Sequence, residues 1–188
     1  MTDEILKNLG PLAGLAGNWE GTKGADTAPG KQREVMRTPF TERMAFVPFG
    51  PVDNHEQQLW GLRYNTTVTR MLDGAGFHED LGYWLWDPRA RQVYRCFVIP
   101  RGVTVMAGGA VDADARSFKL VAEVGSPTFG ICSNPFLDVE FRTVRYELTV
   151  DIHNADSFSY EADTQLLMKG RGEIFHHVDK NTLSRVSS

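Results

Sequence analysis

The stretch RYELTVDIHNADSFSYEAD, Arg145–Asp163, decides the fold class. Tyr146, Leu148, Val150 and Ile152 alternate with Arg145, Glu147, Thr149 and Asp151, and Phe158, Tyr160 and Ala162 alternate with Ser159, Glu161 and Asp163. A period of two puts successive side chains on opposite faces of a strand, so each run has one apolar and one polar face. Between the runs, His153-Asn154-Ala155-Asp156 is rich in turn formers. Two alternating runs around such a turn read as a hairpin.

Outward from this hairpin the same punctuation recurs. Turn signals stand at Asp73-Gly74-Ala75-Gly76, Asp87-Pro88-Arg89, Asp112-Ala113-Asp114 and Lys169-Gly170-Arg171-Gly172. Many short strands with no long helical segments between them define an all-β chain. A parallel sheet is excluded, because each crossover needs a dozen or more residues and usually a helix. Pattern alone leaves a sandwich and a barrel open.

One short helix is expected at the N-terminus. Thr2 is its N-cap, Asp3 and Glu4 suit its positive end, and Ile5 and Leu9 share a face. Gly10-Pro11 ends it. Gly24 to Lys31, rich in Gly, Ala and Pro, reads as a loop. With 188 residues and no repeat, low-complexity tract or linker, the chain reads as a single domain, 1–188.

Composition narrows the partners. A hydrophobic fraction of 41% can build a core that needs no disulfide or structural metal. The net charge of -4, with no Lys/Arg run, argues against nucleic acid. No apolar run approaches the roughly 20 residues that span a bilayer, so no membrane association is expected. The opening MTDEILKNLG carries acids where a signal peptide carries bases, which makes the expected location cytoplasmic. Cys96 and Cys132 are spaced neither as a zinc pair nor as CxxC and are expected as free thiols. No GxSxG, HExxH or P-loop motif is present.

Three stretches carry a family resemblance. Leu12-Ala13-Gly14-Leu15-Ala16-Gly17-Asn18-Trp19-Glu20-Gly21 has the form LxxLxGxWxG. Phe77-His78-Glu79-Asp80-Leu81-Gly82-Tyr83-Trp84 places an apolar residue and a His before a Gly-Tyr pair. Val98-Ile99-Pro100-Arg101-Gly102-Val103 is a strand–Pro–x–Gly–strand turn. In this order and spacing the chain resembles the nitrobindin-like and fatty-acid-binding-protein-like barrels. It departs from nitrobindins at Lys23-Gly24-Ala25-Asp26, where they continue a Gly-rich run, and at Ile99, where they usually carry Gln.

The resemblance implies a closed, calycin-like antiparallel β-barrel of about ten strands. A short helical turn around Leu12 and Leu15 plugs one end, and Trp19 packs inward. It also implies haem b as cofactor, nitric oxide or peroxynitrite as the reactive small molecule, and isomerisation of peroxynitrite to nitrate as the activity. His177 stands where the family places its haem-iron ligand, and a neutral imidazole is a standard axial ligand. Only one of His176 and His177 can face the cavity if they lie on a strand. Phe77 and His78 fall on the opposite side of the haem, and Ile99 on the same cavity wall.

Each assignment has a plainer counterpart. The terminal histidines could be polar decoration bonded to Asp179, and His78 a core residue bonded to Asp80. Asp179 and Asn181 are the nearest candidates to orient a ligating His177. Tyr83, Trp84 and Trp86 form either an aromatic platform or an ordinary core–surface alternation. Arg142, Arg145 and Tyr160 form either a carboxylate clamp or exposed strand positions. His55, beside Asp53 and Glu56, reads as loop. The alternative to haem is a non-haem carrier of fatty acid or another lipophile. Either way the interior is expected to be apolar with few polar groups, and the chain a monomer or homodimer.

Overall fold

In the computed structural model, which describes residues 2–186, eleven strands close into a barrel. They are β1 Gly17–Pro29, β2 Val35–Asp53, β3 Gln58–Arg70, β4 Gly76–Asp87, β5 Gln92–Ile99, β6 Val103–Ala110, β7 Ser117–Val124, β8 Gly130–Ser133, β9 Phe141–Asn154, β10 Ser157–Met168 and β11 Ile174–Val186. The order around the barrel is β1-β11-β10-β9-β7-β8-β6-β5-β4-β3-β2. Neighbours pair antiparallel except for short β8, which runs parallel to the end of β7 while pairing antiparallel with β6. This short insertion takes the strand number past the ten implied by the resemblance. Closure leaves no long unpaired sheet edge and encloses an interior.

The turn signals all fall at the junctions between strands, and the hairpin Arg145–Asp163 pairs as β9 and β10. One expectation is overturned. Gly24–Pro29 is not loop but the second half of β1, with Ala25, Asp26 and Thr27 paired to β2 on one side and to β11 on the other. Ladders on both edges outweigh the weak local strand propensity of Gly, Ala and Pro. Gly24 follows a register shift in β1, and a Cβ there would run into the Phe40 ring.

Helix α1, Thr2–Asn8, precedes a 3-10 helix, Gly10–Leu15, in which Gly10 takes φ +54. The Thr2 side chain, expected as N-cap, lies outside the described residues. A second short helix, α2 Pro135–Glu140, is capped by Asn134, whose side chain accepts from Leu137 N–H at 3.0 Å. Leu9, Leu12 and Leu15 are fully buried against the barrel core. Gly10 abuts Trp86, near the end of β4, so the 3-10 helix closes the end at which β4 finishes and β5 begins. His78, near the start of β4, belongs to the opposite end.

Candidate functional site

The barrel encloses a cavity of about 500 Å³, within the range of small-molecule sites. Much of its wall is apolar: Phe40, Met44, Phe46, Val68, Phe97 and Leu148 among others, with Leu15 at the capped end. The expectation of few polar groups is overturned. Asp26, Glu42, His78, Asp80, Arg95, Tyr146, Tyr160, His177 and Asp179 also line it.

These groups occupy the inward phase of their strands. On β11, Phe175, Asn181 and Leu183 are buried, and His177 and Asp179 share their phase. His177 therefore lines the cavity, whereas His176 points out, exposed, with Nδ1 2.8 Å from Asp163. His177 Nε2 is 2.8 Å from Asp26 Oδ1 on β1, a contact across the β1–β11 ladder. Its partner is thus Asp26 rather than Asp179 or Asn181. Among the described residues its other ring nitrogen has no hydrogen-bond partner. Burial alone would depress the His177 pKa, but the Asp26 bond and the charges of Asp179, Asp26 and Asp163 together raise it.

His78 lines the cavity from β4, with Nε2 3.4 Å from Asp80 Oδ2. The β3–β4 register pairs Val68 with His78 and Thr69 with Gly76, so Phe77 is the extra residue of a bulge. The bulge lets Phe77, out of phase with His78, reach the cavity rim, where its ring meets Phe40 edge-on at 6.2 Å. Ile99 lines the cavity at the end of β5. Gly82, in phase between Asp80 and Trp84, lets β4 and β5 approach closely; a Cβ there would strike the Cys96 carbonyl oxygen.

Other expected groupings do not form. Arg145 turns outward to Glu123 and Glu147, and Arg142 to Asp138. Tyr160 points inward to Glu42, so the three make no clamp. Trp84 and Trp86 are buried while Tyr83 is exposed, which is core–surface alternation rather than a platform. His55 sits exposed in the β2–β3 loop, and among the described residues no His/Cys/Asp/Glu cluster is arranged to hold a metal ion by itself. Cys96 is half-buried and Cys132 exposed, both free.

Glu42 was missed as a cavity group. Its carboxylate accepts from Tyr160 at 3.0 Å, Asn181 at 3.2 Å and Thr66 at 3.2 Å. Burial outweighs these bonds, and with the nearby Asp179 charge it pushes the pKa up from 4.5 to about 7. In the unfolded chain Glu42 loses its proton near 4.5; in the barrel it keeps it to about 7. Between these values the folded state binds more protons, so stability falls as pH rises. The loss from this group is on the order of 3 kcal/mol and is complete above about pH 7. Glu42→Gln, neutral at every pH, should therefore gain stability relative to wild type between pH 5 and 8 in urea denaturation. Parallel profiles for the two proteins would refute the assignment.

Fold and cavity together define a closed β-barrel built around an internal small-molecule site. The chain belongs to the THAP4-like, heme-binding beta-barrel domain family, whose model matches residues 8–185. Among solved structures, the crystal structure of Rv2717c from M. tuberculosis is similar in fold. Its TM-score is 0.68 at 21% identity, covering 97% of this chain and 98% of that one. A comparison with curated proteins gives no match.

Proposed function

We propose that the barrel binds haem b, and that His177 would hold its iron. One observation carries this reading: the His177 imidazole lines the cavity with one ring nitrogen held by the Asp26 carboxylate and the other unpartnered. Metal-ligating histidines almost always have the second nitrogen held in this way, which fixes tautomer and ring orientation. The donor set therefore fits the group. Phe77, His78 and Ile99 contribute to the wall around it, and the family's heme-binding domains give the same direction.

Bound ferric haem would supply an iron centre for nitric oxide or peroxynitrite chemistry, the activity being that of a peroxynitrite isomerase. The chain's own part is to hold His177 through Asp26, to exclude bulk water with the apolar wall, and to present His78 as a polar side chain in the same cavity. Its pairing with Asp80 holds the His78 imidazole near that carboxylate.

The test is a hemin titration of the ligand-free protein. A Soret band that saturates at one hemin per chain is the expected result. Scattered, non-saturating absorbance without a shifted Soret maximum would remove haem from the reading.

A further inference from the structure

One cluster in the cavity wall does not include the proposed iron ligand, His177. Trp84 on β4 and Arg95 on β5 are cross-strand partners, and both lie in the cavity wall with Asp80 and Tyr146. Arg95 is buried. Its Nε donates to the Tyr64 hydroxyl at 3.2 Å, its Nη1 to the Tyr146 hydroxyl, and its Nη2 to Asp80 Oδ2 at 3.3 Å. Phe97, Tyr64 and Trp84 surround the guanidinium, at 4.3, 5.2 and 5.2 Å from ring centre to Cζ.

The cluster holds more donors than the protein satisfies. A guanidinium has five N–H groups, and three are engaged, which leaves two. The Tyr146 hydroxyl accepts from Arg95, so its own proton is free to donate, and among the described residues it has no acceptor. The buried indole N–H of Trp84 has no partner either. Against these stands one unpartnered acceptor, Asp80 Oδ1. Leaving buried donors unmet is costly, and a surplus on this scale calls for a group rich in lone pairs.

We infer that Arg95, Tyr146 and Trp84 form a binding site for an oxyanion, the carboxylate head of a ligand whose apolar remainder occupies the same cavity when the barrel holds no haem. A carboxylate offers two oxygens with about four acceptor sites, which matches the surplus. Charge also permits it. Asp80 balances Arg95, and the neighbouring His78 can supply a second positive charge, because its contact with Asp80 offsets its burial and raises its pKa. The other cavity acids are held elsewhere: Asp26 by His177, and Glu42 by Tyr160, Asn181 and Thr66. Asp179 lies on β11, across the ladder from Asp26.

The site is separate from the iron ligand, and the experiment keeps the two apart. Decanoate, decanol and acetate are titrated by calorimetry into haem-free wild type, Tyr146→Phe and His177→Ala. Decanoate should bind wild type at least tenfold more tightly than decanol. Tyr146→Phe should weaken decanoate about tenfold, the share of one hydrogen bond to a charged group, while leaving decanol unchanged, which also shows that the variant is folded. His177→Ala should keep decanoate binding in full. Equal affinity for decanoate and decanol, or no effect of Tyr146→Phe, overturns the proposal. Acetate as tight as decanoate reassigns the site from an amphiphile to a small free oxyanion. A hemin band without decanoate binding would sink this inference alone; decanoate binding without a hemin band would sink only the iron reading.

Discussion

Hemin titrated into His177→Ala should give no Soret band characteristic of an imidazole-bound iron, while His176→Ala should titrate like wild type. The two residues are adjacent on β11 and differ only in phase. His176 lies outside the barrel on Asp163, and removing it takes nothing from the cavity. His177 lies in the wall, its ring fixed by Asp26. Truncating it to Ala removes the imidazole and leaves Asp26 without this partner inside the barrel. Much of an apolar ligand's affinity comes from buried area, so hemin can still partition into His177→Ala. The signature to follow is therefore the position and intensity of the Soret band rather than binding alone. Loss of the band in His176→Ala with retention in His177→Ala would move the iron to the outer face. An unchanged band in both would place it on some other side chain, with His78 the next imidazole in the cavity.

The architecture was legible because alternation and turn chemistry agree over most of the chain. The hairpin Arg145–Asp163 is one example, and the LxxLxGxWxG opening, with Leu12, Leu15 and Trp19 all buried, is another. The segment from Gly24 to Pro29 was not legible. Its composition says loop, and only pairing to strands distant in sequence, with Thr38 and Asp179 both opposite Asp26, makes it strand. The polar interior was hidden for a related reason. Alternation assigns charged residues to the outer face, and Asp26 meets His177 only across 151 residues of chain. A local signal was nevertheless present. Glu42 falls in phase with Phe40, Met44 and Phe46; Arg95 with Val93 and Phe97; His177 and Asp179 with Phe175 and Leu183. A charged residue in the apolar phase of a strand is costly to bury unless it has a partner or a ligand. Such positions mark the cavity of a barrel even when the partners cannot be named.

Trp19→Ala should cost about 3–5 kcal/mol of unfolding free energy, a large share of the roughly 5–15 kcal/mol that holds a typical domain folded. Three contacts that the Trp19 side chain makes account for the size of the effect. The ring is 1% exposed and meets Phe158 edge-on at 4.8 Å, so truncation opens a cavity in the main core. Its indole N–H donates to the Leu15 carbonyl at 2.7 Å, tying the first strand to the last residue of the 3-10 helix. The Arg185 guanidinium lies 4.2 Å over the ring while donating to the Gly14 and Ala16 carbonyls and to Ala155. Removing the ring thus loosens the capping segment, the start of β1 and the end of β11 together. Trp19→Phe keeps most of the buried area and loses the hydrogen bond and one ring of the indole, so it should cost markedly less. Urea denaturation followed by far-UV circular dichroism measures both; with four tryptophans in the chain, fluorescence would mix their responses. A cost for Trp19→Ala below about 1 kcal/mol, within the range of surface substitutions, would mean that the capping segment is not part of the cooperative core.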